Sequence, residues 1–258
     1  MKQEIKIFFT ALMFYTRLPC PAWVDHDPLH LTKATRYLPL VGMLVGCICA
    51  GIWYGAQLVF PAPVAVTLSM LGGVLVTGGF HEDGLADVCD GFGGGWTREK
   101  ILDIMKDSRV GAFGVMGLVL VFLLKFSLLV SINPALLPLV LIAAHALSRF
   151  VTITFLYTHS YARPDTGTEQ DPSKIRPVAE KPRLTDLFIA GLFGIAPLFF
   201  FQNHWVFLLI IPLYLLKILL GRYFVKWIGG YTGDCLGATQ QSTEILFYLC
   251  LIVLWKYT

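Results

Sequence analysis

Four carboxylates, Glu82, Asp83, Asp87 and Asp90, crowd the stretch GGFHEDGLADVCDGFGGGWTREKILDIMKDSR from Gly78 to Arg109. They follow a long apolar run, where a carboxylate is costly unless it holds a metal or a cationic partner. Asp83, Asp87 and Asp90 are spaced i, i+4, i+7, so a continuous helix projects them from one face. Three like charges on one stripe repel, and a divalent cation relieves them. No Lys or Arg occurs between Arg36 and Arg98 to do so instead. Read as the C-terminal end of a spanning helix, the cluster also opposes the helix dipole, which favours cations there. Glu82, Asp83, Asp87 and Asp90 are therefore the candidate metal ligands. The glycines from Gly91 to Gly95 are expected to end the helix and let backbone N–H groups approach phosphate.

Other segments carry residues suited to the same chemistry. Lys106-Asp107-Ser108-Arg109 precedes an apolar run, where bases ordinarily anchor topology. Arg109 also has the planar fork that clasps a phosphate with two prongs. Arg17 and Arg36 are weaker candidates of the same kind, and His81 is a candidate ligand because it adjoins the acids. Late in the chain, GGYTGDCLGATQQ holds Asp234 and the polar run Thr239-Gln240-Gln241, of which Gln240 is a substrate-contact candidate. His145 and Arg149 share a helix face within an apolar run, and Arg149 and Lys125 call for snorkelling or a carboxylate partner.

The elements that must position these groups are membrane helices. Of the 258 residues 56% are hydrophobic and 14% charged, against roughly 25% charged in soluble domains. A span takes about 20 apolar residues, and seven runs qualify as candidates: Leu38–Phe60, Val64–Phe80, Val110–Ile132, Ala135–Tyr157, Leu187–Phe201, Trp205–Leu220 and Ile245–Trp255. The fifth and seventh are short. Bases cluster before the first run, between the second and third, after the fourth (Arg163, Lys174, Arg176, Lys181, Arg183) and after the sixth, whereas the turns at Pro61–Pro63, Asn133–Pro134 and Gln202–His204 have none. The positive-inside rule then puts every basic segment, and every motif above, in the cytoplasm.

The reading is an all-α, polytopic membrane bundle of six or seven transmembrane helices, forming one domain over residues 1–258. An uncleaved interfacial helix opens it within residues 1–37, residues 81–109 form the acidic motif with a short helix starting at Thr97, and Thr158–Thr185 is a Pro-rich cytoplasmic loop. The six cysteines form no CxxC, so neither zinc nor disulfides are expected.

Taken together, these segments resemble the cobalamin synthase family, the adenosylcobinamide-GDP ribazoletransferases. The resemblance rests on Phe14-Tyr15-Thr16-Arg17-Leu18-Pro19, Arg36-Tyr37-Leu38-Pro39-Leu40-Val41-Gly42, Gly78 through Asp87 with Asp90-Gly91, Ile104 through Gly111, and Gly233-Asp234-Cys235-Leu236-Gly237-Ala238. It covers essentially the whole chain. It implies an Mg²⁺-dependent enzyme of the bacterial inner membrane, acting late in coenzyme B12 assembly. Such an enzyme joins adenosylcobinamide-GDP to α-ribazole, or its 5′-phosphate, and releases GMP; no nucleic-acid partner is expected.

On that reading Mg²⁺ sits on the acids, Lys106 and Arg109 neutralise phosphate, and Asp90 and Asp234 are the two candidates for the base that takes the hydroxyl proton. A partial likeness to the CDP-alcohol phosphotransferases of lipid metabolism makes them the alternative class. Asp83-Gly84-Leu85-Ala86 echoes the start of their motif, but Asp87 stands where they have Arg. A cation transporter is a weaker alternative, because the acids gather at one end of the bundle and no repeat occurs.

Overall fold

The computed structural model describes residues 2–24, 28–162 and 183–257. Most of the Thr158–Thr185 loop, with Arg163, Lys174, Arg176 and Lys181, lies outside the described residues. Within them the chain is all-helical, apart from one isolated backbone bridge between Tyr161 and Tyr231.

The N-terminal helix α1 (Lys2–Tyr15) buries Ile7, Ala11, Leu12 and Tyr15, a spacing that puts them along one side of a 3.6-residue helix. A short α2 (Pro28–Ala34) runs through a 3₁₀ turn into α3 (Leu38–Gln57). Next come α4 (Ala62–Thr77), α5 (Phe80–Gly94), α6 (Arg98–Ile104), α7 (Ala112–Ser131), α8 (Leu137–Ile153) and α9 (Phe155–Thr158). After the loop follow α10 (Leu184–Ile195), α11 (Ile210–Ile228) and the long α12 (Gly233–Tyr257).

Among the described residues four helical runs are long and apolar enough to cross a membrane: His30–Gln57, Ala112–Ser131, Leu137–Thr158 and His204–Ile228. The pair α4 and α5 makes a fifth if counted as one bent span. The seven expected runs are thus four or five by this measure. Leu184–Phe200 is apolar but short, and Ile245–Trp255 is only the apolar half of α12, whose first half is polar. The run containing α8 has 83% of its apolar window buried, against 22% for α7. So α8 is the axis of the bundle, and α7 turns Val115, Val119, Leu120 and Leu123 outward, as lipid contact requires.

Close packing on that axis depends on small residues. A Cβ on Gly42 would strike the His145 carbonyl, and one on Gly46 would come within 2.6 Å of Ile142 Cα. Gly42 and Gly46 form a small-xxx-small pair that lets the α3 and α8 backbones approach, the usual device where lipid removes the hydrophobic drive for helix association.

The approach to the acids differs from the expected one. Gly78 and Gly79 both adopt positive φ, 67° and 71°, a conformation that costs glycine little. They end α4 and restart the chain as α5 at 89° to it. Glu82 and Asp83 accordingly lie in the first turn of a new helix, where the helix dipole favours acids rather than opposing them. Nor does the glycine run end the helix early. It stays helical through Gly94, and Gly91 and Gly95 pack directly on Met105 and Ile101 of α6.

Replacing Gly46 with Val forces α3 from α8 and should lower stability by about 1–3 kcal/mol. A thermal melt in detergent that matches the wild type would show that this contact does not set the helix spacing.

Candidate active site

Helix α5 is held on three sides, and each contact fixes the fate of one acid. Against α12 the approach is backbone to backbone: a Cβ on Gly84 would come within 2.9 Å of the Asp234 carbonyl oxygen and 3.0 Å of its Cα. Gly237 meets the backbone of His81 and Gly84 in the same way. This crossing brings Asp234, in the first turn of α12, beside the segment that carries Asp83 and Asp87. Asp234 accepts a hydrogen bond from Thr232 Oγ1 at 3.1 Å. Asp83 is exposed and Asp87 half-buried, one helical turn apart on the side of α5 left open to solvent.

Against α7 the contact runs through Asp90. Its two oxygens accept the backbone N–H groups of Gly111, at 2.7 Å, and Gly114, at 2.8 Å. Asp90 is buried and satisfies donors that the first turn of α7 leaves without intrahelical partners. Glycine is needed opposite it, since a Cβ on Gly111 would lie 2.5 Å from Oδ1. With both oxygens used as a cap, Asp90 stands as a clamp between α5 and α7.

Glu82 lies about 100° round the helix from Asp83 and leaves the stripe altogether. It points into the bundle, where its Oε1 accepts from Gln241 Nε2 at 2.9 Å. Gln240 is fully buried, donating to Ser148 Oγ at 3.0 Å and to Glu244 Oε2 at 2.8 Å. The structure thus brings Gln240 and Glu82 together, through Gln241, but away from the solvent face.

The bases divide similarly. Arg109 is exposed and forks onto Asp107, with Nη2 to Oδ2 at 2.6 Å and Nε to Oδ1 at 3.0 Å. That hydrogen-bonded fork holds the Asp107 carboxyl down at about 2, so the pair stays ionic at every physiological pH. An arriving phosphate competes with a solvated, single carboxylate for this guanidinium. The Asp90–Gly111 bond sets Arg109, two residues earlier, beside the acidic helix. Lys106 is exposed just beyond α6, whose N-cap Thr97 accepts from Lys100 N–H as expected. Arg17 is exposed and lies over Gly78 at the break between α4 and α5. Arg36 is buried and committed elsewhere, to Asp186 at 2.8 Å and Glu4 at 2.6 Å. That ties α1, α3 and α10 together.

His81 is buried edge-on to Phe80. It lines an apolar cavity of about 60 Å³ with Phe14, Tyr15, Leu38 and Leu156, and its Nδ1 has no partner among the described residues.

The sequence left Lys125 and Arg149 either to snorkel or to pair with a carboxylate. Lys125 pairs, its Nζ meeting Glu244 at 2.5 Å. Arg149 donates to His145 Nδ1 at 3.0 Å, and that nitrogen is therefore the acceptor of the neutral ring. The signal was the presence of charges in runs with no water to reach.

Among the described residues no three His, Cys, Asp or Glu side chains stand close enough to hold a metal ion by themselves. Mg²⁺ does not need them: it takes one or two carboxylates and completes its shell with phosphate oxygens and water. Asp83 and Asp87, a turn apart on the open face with Asp234 alongside, fit that demand.

Fold and site define an all-helical, multi-pass membrane protein whose outward-facing carboxylates sit where three helices are clamped together. The chain matches the family model described as cobalamin-5-phosphate synthase over residues 7–252, and it belongs to that family. It is 49% identical over 253 residues to the adenosylcobinamide-GDP ribazoletransferase of Shewanella frigidimarina, covering 97% of this chain and 95% of that protein. Identity to the proteins of the same name is 45% over 254 residues in Shewanella oneidensis, covering 97% and 95% of the two chains, and 43% over 259 residues in Shewanella amazonensis, covering 99% and 98%. No solved structure matches. The protein is therefore an enzyme, a transferase of cobalamin synthesis.

Replacing Asp90 with Ala leaves the N–H groups of Gly111 and Gly114 without their acceptor and should destabilise the protein by about 2–3 kcal/mol. Unfolding in detergent that is unchanged in this variant would remove Asp90 from the clamp.

Proposed function

We propose that the protein joins adenosylcobinamide-GDP to α-ribazole, or to its 5′-phosphate, and releases GMP, with Mg²⁺ bound at Asp83 and Asp87 and the site facing the cytoplasm of a bacterial inner membrane. The family and the names of its relatives support the substrates. The basic residues flanking the spans support the sidedness. The observation that carries the site is the backbone crossing of Gly84 on Asp234, which sets a carboxylate of α12 beside the two open carboxylates of α5.

In the reaction, a ribose hydroxyl oxygen bonds to the phosphorus on the corrinoid side. The bridging P–O bond of the pyrophosphate breaks, and GMP leaves with its electrons. Mg²⁺ held by Asp83 and Asp87 would supply charge neutralisation. The chain positions the partners and handles the remaining charges. Asp234 takes the hydroxyl proton, its orientation fixed by Thr232 Oγ1. Arg109 exchanges Asp107 for a phosphate oxygen as it is drawn in, while Lys106 and Arg17 add positive potential at the rim.

Purified protein in lipid, given both substrates, should release GMP only when Mg²⁺ is present, with a cobalamin product by mass spectrometry. Replacing Asp83 or Asp87 with Ala should lower turnover at least about a hundredfold without loss of folded protein. Product formed without Mg²⁺, or near-normal turnover in either variant, would overturn this reading. GMP release that needs no ribazole, or release of CMP from CDP-alcohols, would point to the lipid enzymes.

A further inference from the structure

The membrane half of the bundle contains a second polar cluster, and Glu82 belongs to it rather than to the solvent face. Gln241 Nε2 donates to Glu82 Oε1 and also to Gln240 Oε1, both at 2.9 Å. Gln240 passes the chain to Ser148 of α8 and to Glu244, which holds Lys125 of α7. Tyr248 OH donates to Glu244 Oε1 at 2.9 Å. One unbroken network therefore joins α5, α7, α8 and α12. Lys125 and Glu244 pair within it, and Arg149 lies beside it, bonded to His145.

A small cavity of about 20 Å³ adjoins this network, lined by Glu82, Lys125, His145, Arg149 and Gln241. Glu82 Oε2, Arg149 Nε and Gln241 Oε1 are buried polar atoms without partners among the described residues, and all three residues line it. One donor and two acceptors are what a single water satisfies, accepting once and donating twice. The volume admits one.

We infer that Glu82 is a positioning residue, not a metal ligand: it locks the register of the acidic helix against α12 by its bond to Gln241, with one buried water completing the lock. On α12, Asp234, Gly237 and Gln241 are spaced i, i+3, i+7, so they share one face. On α5, Glu82 and Gly84 flank Asp83. The Gly84 crossing sets how closely the helices approach, and the Glu82–Gln241 bond sets how far α5 slides along α12. Sliding moves Asp83 and Asp87 relative to Asp234, and misplacement of that size costs turnover rather than metal affinity. Balance of charge matters as well, because an unmatched charge in this setting is expensive.

The lock can be reversed in sequence while its bond and total charge are kept. The inference rests on the proposed transferase activity, read as GMP release across a Mg²⁺ titration. Glu82→Ala should lower kcat about tenfold per folded molecule, with the half-saturating Mg²⁺ concentration unchanged. The exchanged pair Glu82→Gln with Gln241→Glu keeps the bond between the two positions but loses the donation to Gln240 Oε1, so it should recover kcat in part, at least about threefold above Glu82→Ala, the coupling expected of two residues in direct contact. A Mg²⁺ requirement raised tenfold or more in Glu82→Ala, with no recovery in the exchanged pair, would make Glu82 a ligand and overturn the inference. Unchanged kcat per folded molecule alongside a lower Tm would also overturn it, leaving Glu82 a purely structural group. A wild-type protein that releases no GMP would sink the proposed reaction instead. In that case the Tm values of the two single variants and the exchanged pair still decide whether Glu82 and Gln241 are coupled.

Discussion

At Gly84 the backbone of α5 lies against the backbone of α12 at Asp234, with no side chain between them. The rest of the site depends on that approach. A Cβ at position 84 would come within 2.9 Å of the Asp234 carbonyl, so any side chain there forces the helices apart and shifts Asp234 relative to Asp83 and Asp87. The crossing cannot hold itself, because in lipid two helices gain little from apolar contact alone. It is held by polar fasteners on either side: Asp90 to the N-terminus of α7, and Glu82 through the glutamines to Glu244 and Lys125.

These fasteners show how the protein distributes charge in a low-dielectric setting. Every buried carboxylate of α5 and α12 has a strong donor: two backbone N–H groups for Asp90, a glutamine amide for Glu82, and an ammonium, an amide and a phenol for Glu244. Asp83 is exposed and Asp87 half-buried on the remaining face of α5. The same helix thus uses its carboxylates for two purposes, set by angle around the axis. Asp83 and Asp87 face out, Glu82 faces in, and Asp90 is captured by the next helix along.

Much of this was legible in the sequence. The apolar runs identified the helical membrane class, and the absence of bases near the acids with the i, i+4, i+7 stripe pointed to the segment proposed as the site. Charges at Lys125 and Arg149 signalled an internal carboxylate. What could not be read was set by distant parts of the chain. The cap on Asp90 exists only because α7 starts beside it. The partner of Glu82 lies at the far end of the sequence, and that of Arg36 is split between Glu4 and Asp186. Two successive glycines at positions 78 and 79 read equally well as a helix end or as a right-angled restart. The positive φ at both decides for the restart, and it puts Glu82 and Asp83 at the helix end that favours acids instead of the one that opposes them.

The central claim, that Asp83 and Asp87 together hold the metal once substrate phosphates arrive, is tested most directly by metal binding. Mn²⁺, a spectroscopic substitute for Mg²⁺, can be followed by electron paramagnetic resonance in the purified protein with adenosylcobinamide-GDP present. Wild type should bind Mn²⁺ tightly in this mixture, and Asp83→Asn or Asp87→Asn should weaken it by at least about tenfold, the loss of one ionised ligand. Binding that is undiminished in both variants would place the metal elsewhere and contradict the account.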